Sequence, residues 1–542
     1  MSRDMQGDES AAVRGARWVT GAMLVVGMLN YGYSLSLTRL LDVAAYSRFA
    51  AGQGLILWAS TMAIVTIPWV LAQAMTRARC AADRDTAIRF ARVAGVAAGL
   101  VVATVVGVVG MRVAGTPSAL VLAAGTFVIF LGTTTTGWFQ GQQRMRKLSA
   151  LYVGENVVKN LAGLLLVVVG GLRETGALAA FGIGGLVLLA WSPRGAGWPW
   201  PSALANRDLL RRALGIAGLQ GLVSLLAAMD VVLVAVLPIG RAAVASYQAS
   251  AAVSRVPLFV AGAVGMAFFP ALSKRATGGA LAARAVRMYA AVALPLTAVL
   301  ATTPAAVLAA VFPAQYGAMA ALLRFTAVTG LAAGGVGVVT AFFQAADDYS
   351  CLPWLGAGVV GYFGALLAGW RIGGITGLAA GAAVGAVVML TLMGYRLVRR
   401  EGRALVTRIP IAEPVAVAGI LVLLRPHPLL WLTAAALAGL RAGLRFLRPA
   451  TLRLPGRHRA TKCRAKTEDR QAVSSPAGTI AVSGADHGHE RAPLASARTN
   501  GHGSLSPVAA DCWQLMERTG SLGRETAASP PSTASQQRVP TR

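Results

Sequence analysis

From Trp18 to about Phe446 the chain runs as apolar stretches near 20 residues long, separated by short polar stretches rich in arginine. A run of about that length forms a helix that crosses a hydrocarbon core of roughly 30 Å. Inside lipid the backbone must satisfy its own hydrogen bonds, and an α-helix does so within one segment. The pattern predicts fourteen helices, near 18–37, 49–74, 90–111, 118–137, 151–170, 175–191, 213–238, 244–270, 288–311, 318–345, 353–370, 373–395, 409–424 and 428–447. The predicted fold class is therefore an all-α polytopic membrane protein.

Composition agrees with this pattern. The 542 residues are 56% hydrophobic and 13% charged, with a mean hydropathy of +0.61, whereas a soluble domain carries about 25% charge. The formal charge of +29 does not point to nucleic acid, because the basic residues sit between apolar runs and in the C-terminal tail. The first 17 residues contain acids and no small-residue cleavage site, so no cleaved signal peptide is expected.

Basic residues also predict orientation, since cytoplasmic loops are enriched in Lys and Arg. With the N-terminus inside, the inner segments up to Arg408 carry 23 basic residues. The outer ones carry seven, namely Arg39, Arg48, Arg112, Arg173, Arg241, Arg371 and Arg425. One inner loop, "AADDYS" at 345–350, is acidic and breaks the trend. Both termini are expected in the cytoplasm, in the cell membrane of a bacterium whose Arg, Ala, Gly and Val bias suggests a GC-rich genome. All four cysteines fall on the inner side and no disulfide is expected. The tail, from about 448, has no apolar periodicity and is expected to be disordered. Its start, "RLPGRHRATKCRAK", is a candidate contact for anionic lipid head groups, and "HGHE" at 487–490 is too weak a signal to predict a metal site.

Two hairpins repeat. "LLDVAAYSRFAAGQG…IPWVLAQAMTR" and "PIGRAAVASYQASAAVSR…AFFPALSK" each place a tyrosine, Tyr46 or Tyr247, at the opening of a long inbound helix. "GWFQGQQ" at 137–143 and "AFFQAAD" at 341–347 match about 200 residues apart. Copies with an even number of helices keep their orientation and are related by an axis along the membrane normal. The expected layout is an N-terminus (1–17), an N-lobe (18–191), a linker (192–212), a C-lobe (213–397), two further helices (398–447) and a tail (448–542). Two such lobes around a cavity suit alternating access.

At these residues the chain resembles the polysaccharide transporter family, the oligosaccharide-lipid flippases of the multidrug/oligosaccharidyl-lipid/polysaccharide exporter superfamily. The likeness lies in "LTRLLDVAAYSRFA" (37–50), "WFQGQQRMRKLSALYVGENVVKNLAGLLLVVVGG" (138–171) and the stretch from Asp230 to Lys274, and extends over roughly 18–400. It implies a flippase of twelve or fourteen helices that moves polyprenyl-pyrophosphate-linked glycans to the outer leaflet. Membrane lipids and polysaccharide-assembly proteins are then the expected partners of a monomeric chain. The long tail departs from the family pattern.

Ionisable groups in a membrane interior are costly and mark candidate sites. Asp230 stands alone in "SLLAAMDVVLVAVLP" (224–238), 8 residues before the end of its helix and so about 12 Å deep. Arg255 lies 11 residues into the next helix, about 16 Å deep. The matched depths predict that the two face each other or line one wet cavity. On the fifth helix Glu155 and Lys159 are four apart, so that they can neutralise each other, with Asn156 adding polar surface beside them. Arg39 and Arg324 are candidate phosphate contacts through the planar guanidinium fork. Tyr31, Tyr33, Trp58 and Trp69 are candidates for sugar stacking or for interfacial belts. No cofactor, metal or catalytic set is predicted. An ion-coupled exporter of small cationic molecules is the alternative on the same fold, with Asp230 as the titrating acid. An enzyme is disfavoured because every outer loop is short and the only outer histidine is His427.

The charge count fixes a topology that labelling can test. A membrane-impermeant thiol reagent should leave Cys80 and the tail unmodified in intact cells, and should reach a cysteine placed in the "RPHP" turn at 425–428. Labelling of the tail from outside would contradict the fourteen-helix arrangement.

Overall fold

The computed structural model describes residues 2–193, 204–272, 278–402 and 412–447. The predicted tail (448–542), its "HGHE" motif, Cys463, Cys512 and part of the 192–212 linker lie outside the described residues. Among the described residues all regular structure is helical. The first six helices are α1 (Ser2–Leu40), α2 (Val43–Arg77), α3 (Ala81–Val113), α4 (Thr116–Gly141), α5 (Met145–Val168) and α6 (Arg173–Ala190). The remainder are α7 (Arg207–Val236), α8 (Arg241–Ser254), α9 (Val256–Leu272), α10 (Gly278–Thr302), α11 (Ala305–Val311), α12 (Met319–Ala345), α13 (Leu352–Glu401), α14 (Ala412–Leu423) and α15 (Pro428–Leu447). A 3-10 turn, Ala314–Tyr316, precedes α12.

Among the described residues nine helices are long and apolar enough to cross a bilayer, and the chain is a multi-pass membrane protein. Counting α8 with α9 as one traverse and α13 as two, and leaving out the seven-residue α11, gives fourteen traverses. The structure corrects the expected helices in three places. The first begins at Ser2, not near Trp18. The eighth is interrupted at Arg255. The ninth ends at Thr302, where Pro304 precedes the separate short helix α11. The two internal breaks have one cause. Proline has no N–H to donate, and its ring clashes with the carbonyl four residues back. Pro257 therefore parts α8 from α9, and Pro304 parts α10 from α11.

Helix starts are set by side-chain caps. Asp42 accepts from Ala45 N at 2.8 Å to open α2, and Asn206 accepts from Leu209 N at 3.2 Å to open α7, each satisfying one of the unpaired donors of the first turn. The repeat is visible in the backbone. α4 lies centrally among α2, α3 and α6, and α12 among α8, α9, α10 and α13. Each of these two helices is closed by a left-handed non-glycine residue at the matching place in the repeat, Gln143 (φ 55) and Asp347 (φ 52). α2 packs along α7, and α1 against α9, so the lobes meet along their first two helices. α14 and α15 pack on α10. There Trp431 Nε1 donates to Thr302 Oγ1 at 3.3 Å, and Glu413 is paired with Arg441 and Arg445.

The charges that run against the orientation pattern are answered locally. Arg48 is paired with Glu174, Arg173 with Asp42 and Glu174, and Arg39 donates to Val311 O at 2.9 Å. The acidic 345–350 loop is met by Arg400, whose Nη1 is 2.6 Å from Asp348. Burial raises the Asp348 carboxyl, but hydrogen bonds from Ser350 and the Arg400 and Arg396 cations outweigh it and hold the group below the usual carboxylate range.

α13 folds back at Gly373 and Gly374, the latter at φ 57. Its two arms approach so closely that a Cβ on Gly377 would lie 2.1 Å from Gly369 O, and one on Gly381 would lie 2.2 Å from Ala365 O. Small residues allow this approach where lipid offers no hydrophobic drive for helix association. Alanine for glycine in an exposed helix stabilises by roughly 0.5–1 kcal/mol. At Gly381 it must instead push the arms apart, a strain of about 1–3 kcal/mol. Thermal melting should show Gly381→Ala lowered and Gly361→Ala, where a Cβ meets nothing within 4 Å, unchanged or raised.

Candidate functional site

The break between α8 and α9 builds the site. Arg255 sits at the break with φ −78 and ψ −2, and Leu258 N turns back to Arg255 O at 3.0 Å. The carbonyl of Ser254 comes to rest on α12, where a Cβ on Gly330 would be only 2.0 Å from it. Gly334, one turn on, receives the carbonyl of Pro257. The kink thus seats in a glycine notch and swings Arg255 toward α7.

Asp230 and Arg255 line the same cavity, together with Ser254, Thr326, Thr329 and apolar side chains of α7, α8 and α9. Its volume, about 10 Å³ to the centre of a water-sized sphere, is room for a single water. The two charges form no direct ion pair, although each feels the other electrostatically. Asp230 is 5% exposed, and its Oδ2 accepts from the Tyr247 hydroxyl at 2.9 Å. Asp230 Oδ1 and Arg255 Nη2 are buried without a hydrogen-bond partner in the protein. Of the two sequence-based alternatives, a facing pair or a shared cavity, the structure contains the second. Tyr247 was singled out by the repeat but not as the partner of Asp230. Each lies six residues from the α7–α8 turn, Asp230 before Val236 and Tyr247 after Arg241, so counting from the turn places them level.

A second polar cluster lies in the N-lobe. Lys159 Nζ donates to Asn30 Oδ1 at 2.5 Å and to Asn156 Oδ1 at 2.7 Å, and stands 4.9 Å from the centre of the Phe181 ring. The expected Glu155–Lys159 contact does not form, and Glu155 acts on the ammonium only at longer range. The reason is that Asn30 of α1 reaches across to Lys159, which the α5 sequence alone does not contain.

The other candidates lie elsewhere. Arg324 is exposed and stacks on Phe325 with 4.7 Å to the ring centre, while Thr326 and Thr329 of the same helix face the cavity. Arg39 is exposed at the end of α1, where it bridges to α11 across the lobes. Beside it Tyr46 and Tyr316 meet edge to face at 5.6 Å, so the lobes are joined on this side. Tyr33 is buried and donates to Ala177 O at 3.0 Å, Tyr31 is 40% exposed, and Trp58 and Trp69 are half-buried. On α15, Leu437, Leu440 and Leu444 are exposed beside Arg441 and Arg445. No cluster that would hold a metal occurs among the described residues.

No family model and no curated protein matches the sequence. Solved structures do match. The lipid II flippase MurJ in its inward closed conformation superposes with a TM-score of 0.60 at 10% identity, covering 79% of this chain and 98% of MurJ. A MATE in the straight conformation gives 0.54 at 16% identity, covering 72% and 95%. An outward-facing multidrug resistance MATE family transporter of the MOP superfamily gives 0.54 at 14% identity, covering 72% and 96%. The chain therefore has the fold shared by MATE transporters and MurJ.

Proposed function

We propose that this protein is a flippase that moves a lipid-linked oligosaccharide, borne on polyprenyl pyrophosphate, from the cytoplasmic to the outer leaflet by alternating access, with both termini in the cytoplasm. The observation that carries the reading is Arg255, which lines an interior cavity and whose buried Nη2 has no hydrogen-bond partner in the protein. A guanidinium is the side chain best shaped for a phosphate oxygen pair. Lys159 places a second cation, one helical turn from Glu155, in the N-lobe interior. The cavity has room for no more than a water and is lined by α7, α8, α9 and α12 of the C-lobe alone, so cargo reaches Arg255 only when these helices part, and the Arg39–Val311 bond that joins the lobes must break when the outer side opens.

The second reading, an ion-coupled exporter of small cations, is favoured by one feature, the unpartnered Oδ1 of Asp230 in the same cavity. A charge swap separates the readings. Breaking a buried charge arrangement from one side costs roughly 3–5 kcal/mol, so Asp230→Asn and Arg255→Gln should each lower abundance. Asp230→Arg combined with Arg255→Asp should restore abundance but not the flipping of a labelled polyprenyl-pyrophosphate glycan in proteoliposomes. Full restoration of flipping would reduce the two charges to a structural device. Efflux of a cationic dye without lipid flipping would establish the exporter.

A further inference from the structure

The cluster around Lys159 is built from three helices. α1 supplies Asn30, α5 supplies Lys159 and Asn156, and α6 supplies Phe181. α6 also makes room for it. A Cβ on Gly184 would lie 2.9 Å from Lys159 Cβ and 3.2 Å from Glu155 O, so the absence of a side chain there lets α5 close on α6. Lys159 is 6% exposed. Its nitrogen meets two amide oxygens, which only accept, and the face of a ring, which carries negative potential. A neutral amine would turn a lone pair toward one of these. These three contacts and Glu155 one turn away favour the ammonium form, and they resemble the ligand set that holds a free cation, neutral carbonyl oxygens and a π face. One turn beyond Asn156, the amide of Asn160 is buried with neither its nitrogen nor its oxygen partnered.

We infer that Lys159 is a resident cation. Its ammonium fills the cage of Asn30, Asn156 and Phe181 that a free monovalent cation would otherwise occupy, so the N-lobe keeps one fixed positive charge and exchanges no free cation at this place. The inference is independent of the cargo. It also assigns a role to Gly184 and Asn30, which set the size and the oxygen lining of the cage.

The test uses the full chain, purified in detergent, and its melting temperature in choline, sodium, potassium and methylammonium chloride at equal ionic strength. The wild-type protein should melt alike in all four. Lys159→Ala should melt lower in choline and recover with rising methylammonium or alkali-ion concentration, because a ligand that binds only the folded state stabilises it by RT ln(1 + [L]/Kd). Lys159→Arg should keep the indifference to salt. A specific sodium or potassium stabilisation of the wild type that is no larger in Lys159→Ala would overturn the inference, as would a Lys159→Ala protein equal to wild type in every salt. If Lys159→Ala does not fold, Asn30→Asp decides, since it sets a carboxylate against the ammonium. Its melting temperature should rise, and a fall would show that the amine is not a held cation.

Discussion

A charge inside an apolar bundle has no water to answer it, so the chain must supply the answer itself. That constraint organises both lobes. In the N-lobe the Lys159 ammonium is answered by oxygens of Asn30 and Asn156 and by the Phe181 ring. In the C-lobe Asp230 is answered on one oxygen by Tyr247 and, across a water-sized cavity, by Arg255. The first arrangement is closed. The second leaves one acceptor and one donor of the charged pair itself unengaged, which a guest in the cavity can meet.

The backbone devices serve the same end. Pro257 breaks a traverse in mid-membrane, and the freed carbonyl of Ser254 packs on Gly330, where no side chain intervenes. An unpaired carbonyl in lipid would be costly, and irregular backbone at membrane depth is tolerated only where protein or a cavity surrounds it. The kink, the notch and the cavity are therefore one construction, and Arg255 is aimed by it. The glycine pairs of α13 do a different job. They hold together two arms, the second of which ends at the Arg400–Asp348 contact.

The traverses were legible in the sequence because hydropathy reads burial along the chain directly. The matched depths expected for Asp230 and Arg255 are not found: Asp230 lies six residues from the α7 end and Arg255 fourteen from the α8 start, about 12 Å further at 1.5 Å per residue, so Tyr247 is level with Asp230 and Arg255 meets the same cavity from deeper on the hairpin. Azimuth was not legible either. Arg324 and Thr326 are two residues apart, so they point about 200° from each other on the helix, and only packing decides which one faces inward. The breaks at Arg255 and Thr303 were hidden because the polar residues before each proline are few and the windowed hydropathy stays high across a gap in hydrogen bonding. Lys159 was assigned to Glu155 because the i,i+4 rule sees one helix, whereas its partner Asn30 comes from another.

The central claim is that Asp230 and Arg255 neutralise each other through the cavity without touching. A double-mutant cycle measures this directly. The melting free energies of Asp230→Asn, Arg255→Gln and the double variant should give a favourable coupling energy within the range of about 0.5–3 kcal/mol found for interacting residues, with the double variant more stable than the sum of the single losses allows. Strictly additive losses would contradict the account and would leave Asp230 stabilised by Tyr247 alone.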